Sequence, residues 1–194
     1  MPVSKTKEKL VDVARQLFAK NGVEETTMND IAVASGKGRR TLYTYFKNKE
    51  EVYLAVIEEE LSRLSHKMIA LSLQKMEPEE KLVTVIYNHL NLIKEAVQRN
   101  GNLRAAFFRD IWAVQKVRKR FDRAELEFYA RILREGVSLG RFEVDNITLM
   151  AELLLYCVKG LEVPYIYGRL GEGLNHATSR PMVQRLVNRM VGLK

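Results

Sequence analysis

The 194-residue sequence contains one cysteine, Cys157, and three histidines, His66, His89 and His176. A single cysteine excludes an internal disulfide and fits a reducing compartment. The histidines are scattered, without the spacing of a metal site, and read as surface or core-edge residues. No stretch approaches the roughly 18 consecutive apolar residues that a membrane span needs. The opening Met1-Pro2-Val3-Ser4-Lys5 has no apolar signal segment, so a cytoplasmic location is expected. No glycine-rich phosphate loop stands in a strand-helix context. No paired carboxylates or activated nucleophile stand out either. The expectation is therefore a protein without catalytic chemistry, metal or cofactor. Cys157 falls on an apolar helix, where a buried, inert thiol is the default. Alternating apolar and polar residues, internal repeats and low-complexity tracts are also missing, which leaves an all-α reading.

What is present is positive charge, unevenly placed. The formal net charge is +8 and the isoelectric point is near 9.6. Residues 1–49 hold ten lysines and arginines against five acids, so a quarter of the chain carries over half of the excess. Concentrated charge of this kind is the electrostatic footprint of nucleic-acid binding. A second basic run, Lys116 to Arg120, is followed at once by Asp122, Glu125 and Glu127 and reads as a solvated helix start.

The most informative stretch runs from Thr27 to Phe46 and reads as two short helices joined by a tight turn. Thr27 is placed to cap the first helix, with Asp30 three residues on as its capping-box partner. Met28, Ile31 and Ala32 share one face, and the small Ala32 lets a second helix approach closely. Gly36 supplies the turn, where a positive φ is expected. In the second helix Leu42 and Phe46 point inward together. Arg39 and Tyr43, and likewise Arg40 and Thr44, fall on faces turned away from that core. Arginine forks onto guanine or phosphate, and tyrosine and threonine hydroxyls donate to phosphate oxygens.

The spacings Ala14-x-x-Leu17-Phe18-Ala19-x-x-Gly22, Thr26-Thr27-x-x-x-Ile31-Ala32-x-x-x-Gly36 and Thr41-Leu42-Tyr43-x-Tyr45-Phe46-x-Asn48-Lys49-Glu50 resemble the DNA-binding domain of the TetR family of bacterial regulators. The likeness covers Val11 to Leu54, roughly a quarter of the chain. Two positions depart from it: the family usually has an apolar residue and then a serine cap after the turn glycine, where this chain has Lys37 and Gly38. The resemblance implies a three-helix helix-turn-helix domain over residues 1–48 and a helical ligand-binding and dimerisation domain over 49–194. It assigns a backbone-phosphate contact to Lys49, which sits in the first turn of a helix capped by Asn48. The candidate DNA contacts are Thr27, Lys37, Arg39, Arg40, Thr41, Tyr43, Thr44, Tyr45 and Lys49. Arg39, Arg40 and Thr41 are expected to read bases or fix register. Thr27, Tyr43, Tyr45 and Lys49 are expected to hold phosphates.

The remaining chain reads as a succession of helices. One runs from Asn48 towards Leu73, one from Pro78 to about Arg99, and a short one from Leu103 to about Trp112. Others follow over about Val117–Leu139, Ile147–Val163, ended or kinked by Pro164, and Ser179 onwards. Ile147–Val163 is apolar nearly all round, which suggests burial on every side. With the last helix it forms the candidate dimer interface: Leu153, Leu154, Val158, Leu161, Met182, Leu186, Val187 and Met190. The resemblance also implies a small-molecule site in the body. Its candidate lining is Tyr87, His89, Phe107, Phe108, Trp112, Phe128, Tyr129 and Tyr156, which suits a hydrophobic or aromatic effector. The expected function is a sequence-specific transcriptional regulator, a ligand-released homodimeric repressor on a palindromic double-stranded DNA operator, with no membrane partner. The alternatives are a basic architectural DNA binder without a ligand and a helical enzyme that keeps the N-terminal domain only as a fold relic.

Overall fold

Apolar residues at helical spacing account for each element of the computed structural model, which describes residues 5–72, 74–101, 111–170 and 176–193. Eight helices and no strands are present among them: α1 (Lys5–Asn21), α2 (Met28–Ser35), α3 (Arg39–Tyr45), α4 (Lys49–Ser72), α5 (Pro78–Arg99), α6 (Ile111–Ser138), α7 (Ile147–Ile166) and α8 (His176–Met190). The fold is all-α. Three boundaries differ from the sequence reading. The expected break between Trp112 and Val117 is not there, because Ala-Val-Gln-Lys offers no glycine or proline, and α6 is continuous. α7 passes through Pro164, which lies in its last turn, and ends two residues later. α8 starts at His176, so Pro181 is its sixth residue rather than part of its first turn. The helix expected from Leu103, with Phe107 and Phe108, lies outside the described residues.

The residues separate into two compact units. The first comprises residues 1–62 and 96–119, the second residues 63–95 and 120–194. In the first unit, α1 buries Leu10, Val11, Ala14 and Phe18 against Ile31 and Ala32 of α2, Leu42 of α3, Phe46, and Val52, Tyr53, Val56 and Ile57 of α4. Phe18 and Tyr53 meet edge to face at 6.3 Å between ring centroids. Each buried valine, leucine, isoleucine or phenylalanine among them contributes roughly 1.5–3 kcal/mol. Glu60 of α4 is buried and accepts from Arg99, with Arg15 of α1 alongside at 4.0 Å.

The second unit has its own core, built from Leu82, Val85, Ile86 and Leu90 of α5, Ile132 and Leu133 of α6, and Leu154, Leu155 and Val158 of α7. α7 is not buried on all sides: Leu154, Leu155 and Val158 face this core, while Leu149, Leu153 and Tyr156 are exposed. Cys157 is exposed as well. Gly136 of α6 lets the following chain fold back. Its carbonyl accepts from the N–H groups of Arg141 and Phe142 at 2.9 and 3.1 Å.

A polar junction crosses this core. The His89 ring of α5 lies between two carboxylates, Nδ1 at 2.6 Å from Glu125 of α6 and Nε2 at 3.0 Å from Glu162 of α7. Burial pulls the imidazole pKa down, but hydrogen bonds to Glu125 and Glu162 outweigh it and raise it from 6.5 to about 9. His89 is therefore an imidazolium at neutral pH, hydrogen-bonded through Nε2 to Glu162 and ion-paired through Nδ1 with Glu125.

Two measurements on stability follow. A folded-state pKa above the unfolded one means the His89 contribution is fully present below pH 6.5 and is lost as pH rises through about 9. Urea midpoints should fall across that window, and less so in His89→Gln. Equal slopes would remove His89 as the source. Separately, a Cβ at Gly136 would lie 2.1 Å from the buried Phe142 ring. Alanine gains about 1 kcal/mol in helix propensity there, and the clash exceeds it, so Gly136→Ala should cost about 1–3 kcal/mol net in urea unfolding.

Candidate nucleic-acid interface

The site is built from short-range hydrogen bonds at the two ends of α2. At its start, Thr27 Oγ1 accepts from the Asp30 N–H at 3.2 Å and the Thr27 N–H donates to Asp30 Oδ2 at 2.8 Å. The Thr27 hydroxyl also donates to that carboxylate at 2.7 Å. These bonds hold the Asp30 carboxyl below its usual range, the Thr27 side chain contributing most. They also commit the hydroxyl proton of Thr27.

At the other end Gly36 adopts φ +65°, and its N–H and that of Lys37 return to the last carbonyls of α2. A side chain there would be strained, which fixes glycine at the turn. Gly38 begins α3 in an extended conformation without a side-chain cap. Its carbonyl accepts from the N–H groups of Thr41 and Leu42 at 2.9 and 3.2 Å. The departures at Lys37 and Gly38 thus leave a complete turn and a regular α3.

Leu42 and Phe46 anchor α3 in the core, and this orients everything else on it. Lys37, Arg39, Arg40, Tyr43 and Thr44 are exposed, and Thr41 and Tyr45 are half-buried. Among the described residues no carboxylate pairs with Lys37, Arg39 or Arg40, so this edge carries three uncompensated positive charges. Thr44 Oγ1 donates back to the Arg40 carbonyl at 2.9 Å and keeps only its acceptor role. Asn48 Oδ1 accepts from the Glu51 N–H at 2.9 Å and caps α4, placing Lys49 in the first turn. Lys49 Nζ donates to the Glu24 carbonyl at 2.9 Å, which holds the ammonium beside the loop preceding α2 and leaves two donors.

The other candidate residues fall elsewhere. Tyr87, His89, Phe128 and Tyr129 are all buried in the second unit. Tyr156 is 67% exposed and does not line a core pocket, because it projects from the outer side of α7. Phe107 and Phe108 lie outside the described residues, and Trp112 lies on α6. Of the candidate interface residues, Leu153, Met182 and Leu186 are exposed and Leu161 and Met190 are half-buried. Leu154, Val158 and Val187 are corrected to core positions of their own chain, since one face of α7 and α8 packs inward. Sequence reasoning missed Glu125 and Glu162 as partners of His89. An acid set within the apolar run of α7, together with a lone histidine on the apolar stripe of α5, was the available signal. Among the described residues no group of three His, Cys, Asp or Glu side chains is arranged to hold a metal ion. No described helix is long and apolar enough to cross a membrane.

Comparison with known proteins matches this geometry. The family model described as bacterial regulatory proteins, tetR family, matches residues 10–56. The chain is 25% identical over 158 residues to the HTH-type transcriptional regulator QacR of Staphylococcus aureus, covering 80% of this chain and 83% of QacR. Among solved structures, the fatty acid degradation regulator FadR from Bacillus halodurans superposes with a TM-score of 0.72 at 19% identity, covering 96% of each chain. The transcriptional regulator FadR from Bacillus subtilis, in complex with stearoyl-CoA, gives 0.69 at 20% identity over 93% of this chain and 96% of FadR. Residues 10–56 thus match the N-terminal domain of the tetR family of bacterial regulatory proteins, and the chain shares the helical fold of these solved regulators.

Proposed function

We propose that the protein is a sequence-specific transcriptional repressor that binds a palindromic operator as a homodimer and is released by a small hydrophobic or aromatic molecule. In this reading residues 1–48 bind DNA and residues 49–194 bind the effector and the second copy. The observation that carries it is the exposed, unpaired basic edge of α3 on a helix fixed from behind by Leu42 and Phe46. A cationic helix held rigidly and turned outward suits the major groove, where arginine reads guanine and hydroxyls hold phosphates. Two such helices in a two-fold dimer engage half-sites about 34–36 Å apart, or a multiple of it.

The exposed side of α7 supports the dimer. Leu149, Leu153, Tyr156, Gly160 and Val163 follow one another at intervals of four and three residues, the period of a helix-helix seam. Nothing lies within 4 Å of the position a Gly160 Cβ would take. Met182 and Leu186 of α8 add two exposed apolar side chains four residues apart. A helix pair left this apolar in a soluble chain is explained by a covering partner, and a second copy is the simplest one. The relative solved with stearoyl-CoA and the aromatic body residues support an effector with a large apolar part. Such an effector needs a differential affinity for two dimer shapes of about 1–3 kcal/mol.

Selection of bound duplexes from a random pool should return a palindrome with half-sites about one helical turn apart or a multiple of it. Recovery of no consensus, with binding still lost as salt rises, would favour the architectural alternative. Arg40→Ala should weaken specific binding by roughly 1–3 kcal/mol while leaving non-specific binding nearly intact. An unchanged ratio of the two would remove base reading from Arg40. Leu153→Glu should yield a folded monomer by analytical ultracentrifugation and lower operator affinity roughly a hundredfold through loss of the linked second head. A variant that stays dimeric would move the interface off this seam.

A further inference from the structure

In the first unit one buried carboxylate faces two arginines from different helices. Glu60 of α4 is 1% exposed. Its Oε2 accepts from Arg99 Nη2, at the end of α5. Its Oε1 faces Arg15 Nε of α1 at 4.0 Å, outside hydrogen-bonding range. Both atoms of that second pair are buried, and neither has a hydrogen-bond partner. Arg15 Nη2 is engaged with Asp12 at 2.9 Å. Two cations and two anions make the cluster neutral, so it calls for no ligand. A separate contact seats the end of α5 on α1. Asn100, 1% exposed, donates to the Ala96 carbonyl at 2.7 Å. Gly101 follows with φ +44°, and a Cβ there would lie 2.6 Å from the Ala19 carbonyl oxygen of α1.

The cluster is asymmetric, and the asymmetry gives it a direction. The Arg99 side chain is 38% exposed, whereas that of Arg15 is 15% and that of Glu60 1%. Arg99 can therefore exchange its bond for water, and the other two cannot. A buried carboxylate that loses its hydrogen-bonded cation is costly. With Arg99 disengaged, Glu60 is drawn to Arg15, and the 4.0 Å gap closes by about 1 Å to the length of a charge-assisted bond. Both side chains are packed in the interior, so the closure is taken up as a movement of α1 against α4. α1 in turn carries Lys7, whose Nζ stands over the Phe46 ring at 5.7 Å. A shift of α1 thus reaches one of the two anchors of α3. An apolar contact at this position would give as much stability, but no choice between two partners.

We propose that Glu60 is a positioning residue for DNA binding. Arg99 keeps its carboxylate from closing onto Arg15, and so holds α1, and with it α3, in the setting that fits the operator. The proposal rests on the regulator reading given above and extends the DNA-binding part beyond residues 1–48 to the end of α5. Glu60 and Arg99 touch no DNA in it. They act through α1.

The test is a double-mutant cycle on the full-length protein. Fluorescence anisotropy reads affinity for the duplex recovered by selection and for a scrambled duplex of equal length. Arg99→Gln should weaken operator binding about tenfold, while binding to the scrambled duplex and its salt dependence stay as in the wild type. Arg99→Lys, which keeps the charge, should recover most of the loss. In the Glu60→Gln background no carboxylate remains to close onto Arg15, so Arg99→Gln should cost less than about twofold. Circular dichroism reports that each variant is folded. A folded Arg99→Gln with wild-type operator affinity would overturn the proposal, and so would equal losses with and without Glu60. A salt slope on the scrambled duplex reduced by about one in Arg99→Gln would make Arg99 a phosphate contact and overturn it too. Should Glu60→Gln fail to fold, the comparison of Arg99→Lys with Arg99→Gln decides, equal affinities sinking the shared-carboxylate role. A wild-type protein that selects no duplex would instead count against the regulator reading itself.

Discussion

The arrangement of the first unit depends on the burial of Leu42 and Phe46. α3 has seven residues, and a helix so short has little stability of its own. It exists because these two side chains fill the core beneath α1, α2 and α4. The anchoring does more than stabilise. It fixes the rotation of α3 about its axis, so the opposite side chains, Arg39, Arg40 and Tyr43, are held outward in a defined order. Gly36 cooperates by turning the chain sharply enough for α3 to pack against α2. A change at either anchor would therefore be felt as a misaimed basic edge before it was felt as unfolding.

The second unit places charge where its helices meet. Lys81 of α5 is buried and reaches Glu135 of α6 at 2.9 Å. Arg141 pairs with Glu77 and Glu79. His89 joins α5 to α6 and α7 at once. Pairs of this kind contribute little net stability, since desolvation offsets most of the attraction. What they impose is register. An apolar helix face tolerates a slide along its neighbour, but an imidazolium between two carboxylates does not.

Much of this was legible in the sequence, for identifiable reasons. The Thr27–Asp30 capping box, the Gly36 turn and the inward pair Leu42–Phe46 depend on residues within a few positions of one another. Local geometry decides them. The basic edge followed from the same spacing. The interior of the second unit was less legible because its decisive contacts join residues 36 to 73 positions apart, as His89 does with Glu125 and Glu162. Composition alone could not separate the two faces of α7, since both are apolar. Only the packing of Leu154, Leu155 and Val158 inward distinguishes them from Leu153 and Tyr156. Pro164 is expected to kink or end the helix because proline is unfavourable inside one. In the last turn it removes a single backbone bond, and the helix tolerates that loss.

In the repressor reading proposed above, the unpaired charges of Lys37, Arg39 and Arg40 also bear on how the protein finds a site. Their field is not cancelled locally, so it reaches outward over about one Debye length, some 8 Å at physiological ionic strength. A phosphate backbone of any sequence answers that field. On a chromosome, a protein with such an edge spends most of its time on sequences it does not read, sliding and hopping between them. The free concentration is then small compared with the total. Occupancy of one operator depends on the ratio of specific to non-specific affinity and on how much competing DNA the cell contains.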